Sequence, residues 1–217
     1  MPDYAALRAN MVDTQVLAND VTEERILAAF RAVPREAFVP AARRGIAYAE
    51  APLEIVPGRS LLSPRCFAKL VKLAGIRRDD TVLDIGCATG YSTAVIAHLA
   101  KRVIGLEEDA ALLRLASDML HTLHATNAAI AQGVLAQGHR DAAPYDVIVI
   151  EGGVEVVPEP LLAQLAEGGR LVAMFRREAQ VRAVIFLNDA GHIGQRFDFD
   201  DSAALLPGFR QPAGFVF

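Results

Sequence analysis

Apolar and polar residues alternate along this chain in two rhythms, and the change between them divides it. From about residue 3 to residue 32 the rhythm is helical. Ile26, Leu27 and Phe30 recur at helical spacing, Thr22 reads as an N-cap, and Glu23 and Glu24 supply first-turn acids. Pro34 ends that run. Between Pro40 and Pro64 the residues Pro40, Pro52, Pro57, Gly58 and Pro64 predict loop with short strands. Phe67, Leu70, Val71 and Ala74 then share one face of a further helix.

After residue 80 the rhythm shortens into compact apolar runs separated by helix-sized segments. Strands are predicted at 81–85, 103–106, 128–130, 145–150, 170–175 and 181–187. Helices are predicted at 92–100, about 110–123 with Asp109 as N-cap, and 160–166, the last stopped by Gly168 and Gly169. The strand runs are nearly all apolar, as strands buried on both faces are. Strand and helix in alternation predict an α/β fold: a doubly wound, mostly parallel sheet with helices on both faces and an N-terminal helical and loop cover over its ligand edge. The expected organisation is one domain, with a cover at 1–75, a core at 76–188 and a tail at 189–217 whose Phe197, Phe199, Phe209, Phe215 and Phe217 pack back as strand or irregular chain.

Composition narrows the function. At 217 residues, 53% hydrophobic and 22% charged, the chain has material for a sizeable core and no compositional case for disorder. Its net charge of -4 argues against a nucleic-acid partner, which needs concentrated Lys and Arg. No run approaches the roughly 20 apolar residues of a bilayer span, and the N-terminus lacks a signal-peptide pattern, so a cytoplasmic location with no membrane partner is expected. The two cysteines, Cys66 and Cys87, make neither a disulfide framework nor a zinc site. His121 and His124 share a helix face but have no evident third ligand, so no metal is expected.

The chemistry-bearing segment is the turn after the first core strand. Asp84, Gly86 and Gly90 form Asp-x-Gly-x-x-x-Gly between strand and helix. Gly86 lets the backbone turn sharply beside a ligand, Cys87 lends its backbone, and Gly90 opens a helix whose free N–H groups can face a carboxylate. Glu107 ends the next strand, where an acidic side chain can accept from both hydroxyls of an adenosine ribose. A nicotinamide dinucleotide site wants Gly-x-Gly-x-x-Gly; the spacing here and the leading Asp84 suit S-adenosylmethionine better.

The chain resembles the protein-L-isoaspartate (D-aspartate) O-methyltransferases from about Asn10 to Leu187. The likeness is carried by Met11 to Gln15, Val21 to Ile26 and Val33 to Pro40, by Ala47-Tyr48 with Gly58 to Pro64, by the cofactor turn with Glu107, and by Ala143 to Asp146 with Leu161 to Val172. It implies S-adenosylmethionine as methyl donor and isoaspartyl carboxylates of damaged proteins or peptides as acceptor. The acceptor oxygen is already anionic at neutral pH, so orientation and desolvation can supply most of the acceleration. It also implies that Gly133, Val134 and Leu135 flank the adenine, and that Ser60 with Arg59 faces the acceptor.

The chain departs from that family's pattern chiefly on the acceptor side, and at two positions beside the donor. Leu62 stands where the family has an active-site Ser, and Arg59 where it has Gln. Val134 replaces an Asp, and Ala88 the middle glycine of the turn. Glu151 opens a segment that in the family begins Thr-Ala-Ala, bringing a carboxylate that would repel an anionic acceptor. Two alternatives therefore stand beside the isoaspartyl reading: a same-fold methyltransferase for a small-molecule acceptor, and a non-catalytic S-adenosylmethionine-binding protein.

Overall fold

A computed structural model of the chain describes residues 2–211, so Phe215 and Phe217 lie outside the described residues. Its centre is a seven-stranded sheet. The strands are β3 (Thr81–Ile85), β4 (Arg102–Glu107), β5 (Ala128–Gln132), β6 (Tyr145–Val154), β7 (Leu165–Arg177), β8 (Gln180–Asp189) and β9 (His192–Asp200). Their spatial order is β5-β4-β3-β6-β7-β8-β9. The first five run parallel, and β8 and β9 add antiparallel hairpins. The order reverses direction beside β3, because the chain steps outward through β4 and β5 and returns to β6 on the other side. That switch point, at the carboxyl ends of β3, β4 and β6, is where a doubly wound sheet leaves room for a ligand.

One face of the sheet carries most of the helices: α1 (Tyr4–Met11), α2 (Glu24–Ala32), α3 (Pro64–Ala74), α4 (Tyr91–Ala97) and α5 (Ala110–Thr122). Phe30, Phe67 and Tyr91 pack there over Val82, Val147, Val149 and Val172. The opposite face is covered by short pieces: the four-residue α6 (Glu159–Leu162), a 3-10 turn at Leu135–Gln137 and the chain after β9, whose Leu206 and Phe209 are buried against Ile85, Ile150 and Leu171. Helices therefore dominate one face only, and the C-terminal chain takes the place of a helix on the other. A hairpin of β1 (Leu53–Val56) and β2 (Arg59–Leu61) stands apart from the main sheet.

Three local expectations change. The 3–32 segment is broken at Asp20, which turns left-handed (φ 65°) after a π turn and a 3-10 turn. The second helix is capped at Glu23, with no side-chain cap, rather than at Thr22. The 160–166 helix ends at Leu162, because the buried Gln164 is pulled into other bonds. Its Nε2 donates to the Gln137 and Pro160 carbonyls, and its Oε1 accepts from the His139 N–H. Its backbone carbonyl accepts the Tyr145 N–H and leads the chain into β7.

Candidate active site

The turn after β3 is held from three sides. Asp84 is fully buried, and its Oδ2 accepts from Ser92 Oγ (2.7 Å) and Thr93 Oγ1 (2.5 Å), fastening α4 to the strand. Thr89 Oγ1 donates to the Phe38 carbonyl at 2.7 Å, fastening the turn to the N-terminal cover. Gly86 adopts φ 76°, open to glycine at little cost, and its N–H donates to the Leu106 carbonyl at 2.9 Å. Gly90 (φ 89°) caps α4. Cys87 is buried, and burial pushes its thiol well above the ordinary value, which leaves it a backbone contributor and not a nucleophile.

Glu107 lies at the carboxyl end of β4, beside this turn and fully buried. Its carboxylate accepts five hydrogen bonds. Three are backbone N–H groups: Ala88 (2.9 Å), Glu108 (2.9 Å) and Asp109 (3.0 Å). The other two come from Arg59, whose Nη1 and Nη2 close on Oε1 and Oε2 at 2.6 Å each. Residue types and spacing pointed to Glu107, but not to this partner, which comes from β2, 48 positions earlier. Arg59 is 6% exposed, and its fork is spent on Glu107.

The remaining sequence-predicted residues spread along the rim. Gly133 follows β5, and its N–H donates to the Glu107 carbonyl at 3.1 Å. Val134 is 59% exposed, while Leu135 is buried in the second-face core. Ser60 is half-buried on β2, paired opposite Glu54. Leu62 is buried in the first-face core, and Ser63 caps α3 by accepting from the Cys66 N–H.

Sequence reasoning missed a buried polar group behind Leu62. Arg35 is 1% exposed; its Nε donates to the Ala47 carbonyl (2.9 Å) and its Nη2 to the Leu62 carbonyl (2.7 Å). Its guanidinium carbon sits 4.8 Å from the centre of the Tyr91 ring. Arg35 Nη1, the Tyr91 hydroxyl, Glu151 Oε1 and Asp84 Oδ1 are all buried with no hydrogen-bond partner among the described residues. Burial first, and then the negative charge of Asp84, push the Glu151 carboxyl well above its ordinary 4.5, against the opposing pull of Arg35. Asp84 is pushed up to about 6, chiefly by burial, while the Thr93 and Ser92 hydroxyls pull the other way. The signal for Arg35 was its place in the Val-Pro-Arg-Glu stretch of the N-terminal signature. Gln15 of the same signature is also an anchor, donating to the Tyr48 carbonyl at 2.8 Å.

Residues 8–197 match the family model for protein-L-isoaspartate(D-aspartate) O-methyltransferase. The chain belongs to that family. The protein-L-isoaspartate O-methyltransferase of Koribacter versatilis is 37% identical over 198 residues, covering 91% of this chain and 89% of its relative. That of Methylorubrum extorquens is 39% identical over 172 residues, covering 79% of this chain and 75% of the relative. The fold agrees: a solved protein-L-isoaspartate O-methyltransferase superposes with a TM-score of 0.79 at 23% identity, covering 94% of this chain and 66% of the solved one. A β-aspartate methyltransferase of the family from Plasmodium falciparum, solved with S-adenosyl-L-homocysteine, gives 0.78 at 19% identity and covers 92% and 97%. The family's enzymes are methyltransferases that use S-adenosylmethionine, and they act on isoaspartyl proteins. Among the described residues no helix is long and apolar enough to cross a membrane.

The backbone frame fits that methyl donor. Gly86 brings main chain to the switch point, and Glu107 stands one strand over. The side chains packed on the frame do not. Leu206 and Arg59 lie over Gly86, where an added Cβ would meet Leu206 Cδ2 at 3.0 Å and Arg59 Nη2 at 3.5 Å. Both oxygens of Glu107 are already taken.

Proposed function

We propose that the chain is an S-adenosylmethionine-dependent O-methyltransferase of the protein-L-isoaspartate type, acting on isoaspartyl carboxylates in proteins and peptides. The observation that carries this is the extent of the family match, which spans the N-terminal cover, the hairpin and the parallel core together. A shared cofactor turn alone would not distinguish this family from other methyltransferases.

In this reading Gly86, the Cys87 backbone, Gly90 and Glu107 border the donor, and Gly133, Val134 and Leu135 flank its adenine. When bound, the donor supplies an electrophilic methyl group. Asp84 acts indirectly, by locking α4 to the turn through Ser92 and Thr93. Ser60 is the hydroxyl left to meet the acceptor, since the Arg59 fork is engaged elsewhere. The net charge of -4 argues against a nucleic-acid partner. The test is methyl transfer to an isoaspartyl peptide against its aspartyl twin. Transfer confined to the isoaspartyl peptide is expected; equal transfer to both, or transfer only to a small-molecule acceptor, would refute the assignment.

A further inference from the structure

We propose that Arg59 and Leu206 form a plug built into the donor cleft, so that the methyl donor binds only by pulling the guanidinium off Glu107 and lifting the C-terminal segment from Gly86. The proposal rests on the donor reading of the cleft given above.

The first support is the saturation of Glu107. A carboxylate offers about four lone-pair positions, and this one already accepts five donors, three on Oε1 and two on Oε2. A ribose diol would bring two more. The three backbone donors are fixed by the turn and by the start of α5, so only the guanidinium can leave. Diol and guanidinium therefore exchange; they do not add. The exchange opposes binding, because a bidentate charge-assisted pair in a dry site is worth more than two hydrogen bonds from neutral hydroxyls.

The second support is independent and comes from the other end of the chain. The segment after β9 crosses the carboxyl ends of β3 and β6. Gly153 N–H donates to the Ala204 carbonyl at 2.7 Å, and Leu206 N–H donates to the Gly153 carbonyl at 2.8 Å. Gly152 has no side chain at the point where Leu206 Cβ comes within 3.0 Å of its virtual Cβ. Asp201 pins the start of the segment to α3, accepting from Arg65 Nε and Nη2 at 3.1 and 3.3 Å with its own side chain 2% exposed. Phe209, fully buried, closes the other end, its carbonyl accepting the Glu155 N–H at 2.9 Å. Asp201, Leu206 and Phe209 all lie beyond residue 197, where the family match stops. The cover is thus built largely from residues outside the matched region and laid over the part of the fold inside it.

The experiment is calorimetric titration of the full chain with S-adenosyl-L-homocysteine, comparing wild type, Arg59→Gln and Leu206→Ala. Gln keeps polarity but is shorter and lacks the charged fork, and Glu107 retains its three backbone donors. Each variant is expected to bind at least tenfold more tightly than wild type. Affinities equal within twofold across all three would overturn the plug and leave the donor reading intact. No heat from any of the three, nor from the double variant, would overturn both. If a variant fails to fold, hydrogen exchange of the wild type decides. Saturating S-adenosyl-L-homocysteine should deprotect the amides of residues 59–61 and Leu206, and unchanged protection in the bound protein overturns the proposal.

Discussion

Glu151→Gln is the substitution whose effect the structure specifies most fully. Glu151 sits near the end of β6 at 7% exposure, with Oε1 unpartnered and the buried Asp84 within electrostatic reach. Its folded-state pKa is raised well above 4.5, so the native state holds a proton that the unfolded chain releases above that pH. The sign follows. Where the native state binds more protons, unfolding free energy falls as pH rises, by about 1.4 kcal/mol per unit for one group. The stability is fully present below 4.5 and is lost as pH climbs towards the folded-state pKa. Gln has the same size and does not titrate, and Asp84 is common to both proteins. The difference in unfolding free energy, Gln minus Glu, should therefore grow as pH rises above 4.5, by up to about 1.4 kcal/mol per unit, and level off once pH passes the folded-state pKa. Urea unfolding at half-unit intervals between about pH 5 and pH 7 measures it. A difference flat within 0.5 kcal/mol over that range would refute the reasoning. It would mean that Glu151 is ionised in the fold, paired with the free Nη1 of Arg35.

Three further outcomes follow from packing. Arg170→Met should cost about 3–5 kcal/mol in chemical unfolding, because Arg170 bridges the Ala74 and Gly75 carbonyls at 2.5 and 2.6 Å and pairs with the buried Asp80 at 2.7 Å; a loss below 1 kcal/mol would contradict that bracing role. Ala88→Gly should stabilise by about 0.5 kcal/mol, since Ala88 holds φ 50° and relief of roughly 1–2 kcal/mol of left-handed strain outweighs the added freedom of the unfolded chain; a lowered melting temperature would count against it. Phe209→Ala should cost about 3–5 kcal/mol and speed hydrogen exchange at Leu206 before any strand of the parallel core, and uniform exchange across both would show that the segment is not a separable cover.

The parallel core was legible because its signals are local. An apolar run such as 147–150 has only one comfortable place, the middle of a sheet covered on both faces. Asp109 was legible as an N-cap for the same reason: its Oδ1 bonds the N–H groups of Ala111 and Leu112, two and three residues on. Most of what failed was decided at long range. Gln164 is drawn out of a helical pattern by Gln137 and His139, more than 20 residues away. The need for Gly105 is likewise visible only in the fold: a Cβ there would meet Thr93 Oγ1 at 2.6 Å and Ile130 at 2.7 Å, so its absence lets α4 and β5 close on β4. The break at Asp20 was locally encoded, since Asn-Asp favours a left-handed turn, but the helical rhythm on either side masked it.

The site divides in the same way, and the division carries a final prediction. Glu107 was found by type and spacing, whereas its partner could be found only in three dimensions. The acceptor-side departures, Leu62 and Glu151, lie 89 positions apart and read in the sequence as two unrelated changes. In the fold both meet Arg35: the Leu62 carbonyl accepts from its Nη2, and the Glu151 carboxyl lies within its field. Substitutions that flank one buried charged group are expected to couple, by about 0.5–3 kcal/mol. Leu62→Ser alone leaves the Glu151 carboxyl, which must stay protonated beside an anionic acceptor, and Glu151→Thr alone leaves an apolar side chain where a donor is wanted. The double substitution should therefore raise kcat/KM for an isoaspartyl peptide by more than the product of the two single effects, measured under donor concentrations that saturate all four proteins. Effects that multiply to within twofold would show two independent changes, and would remove Arg35 as the group through which they communicate.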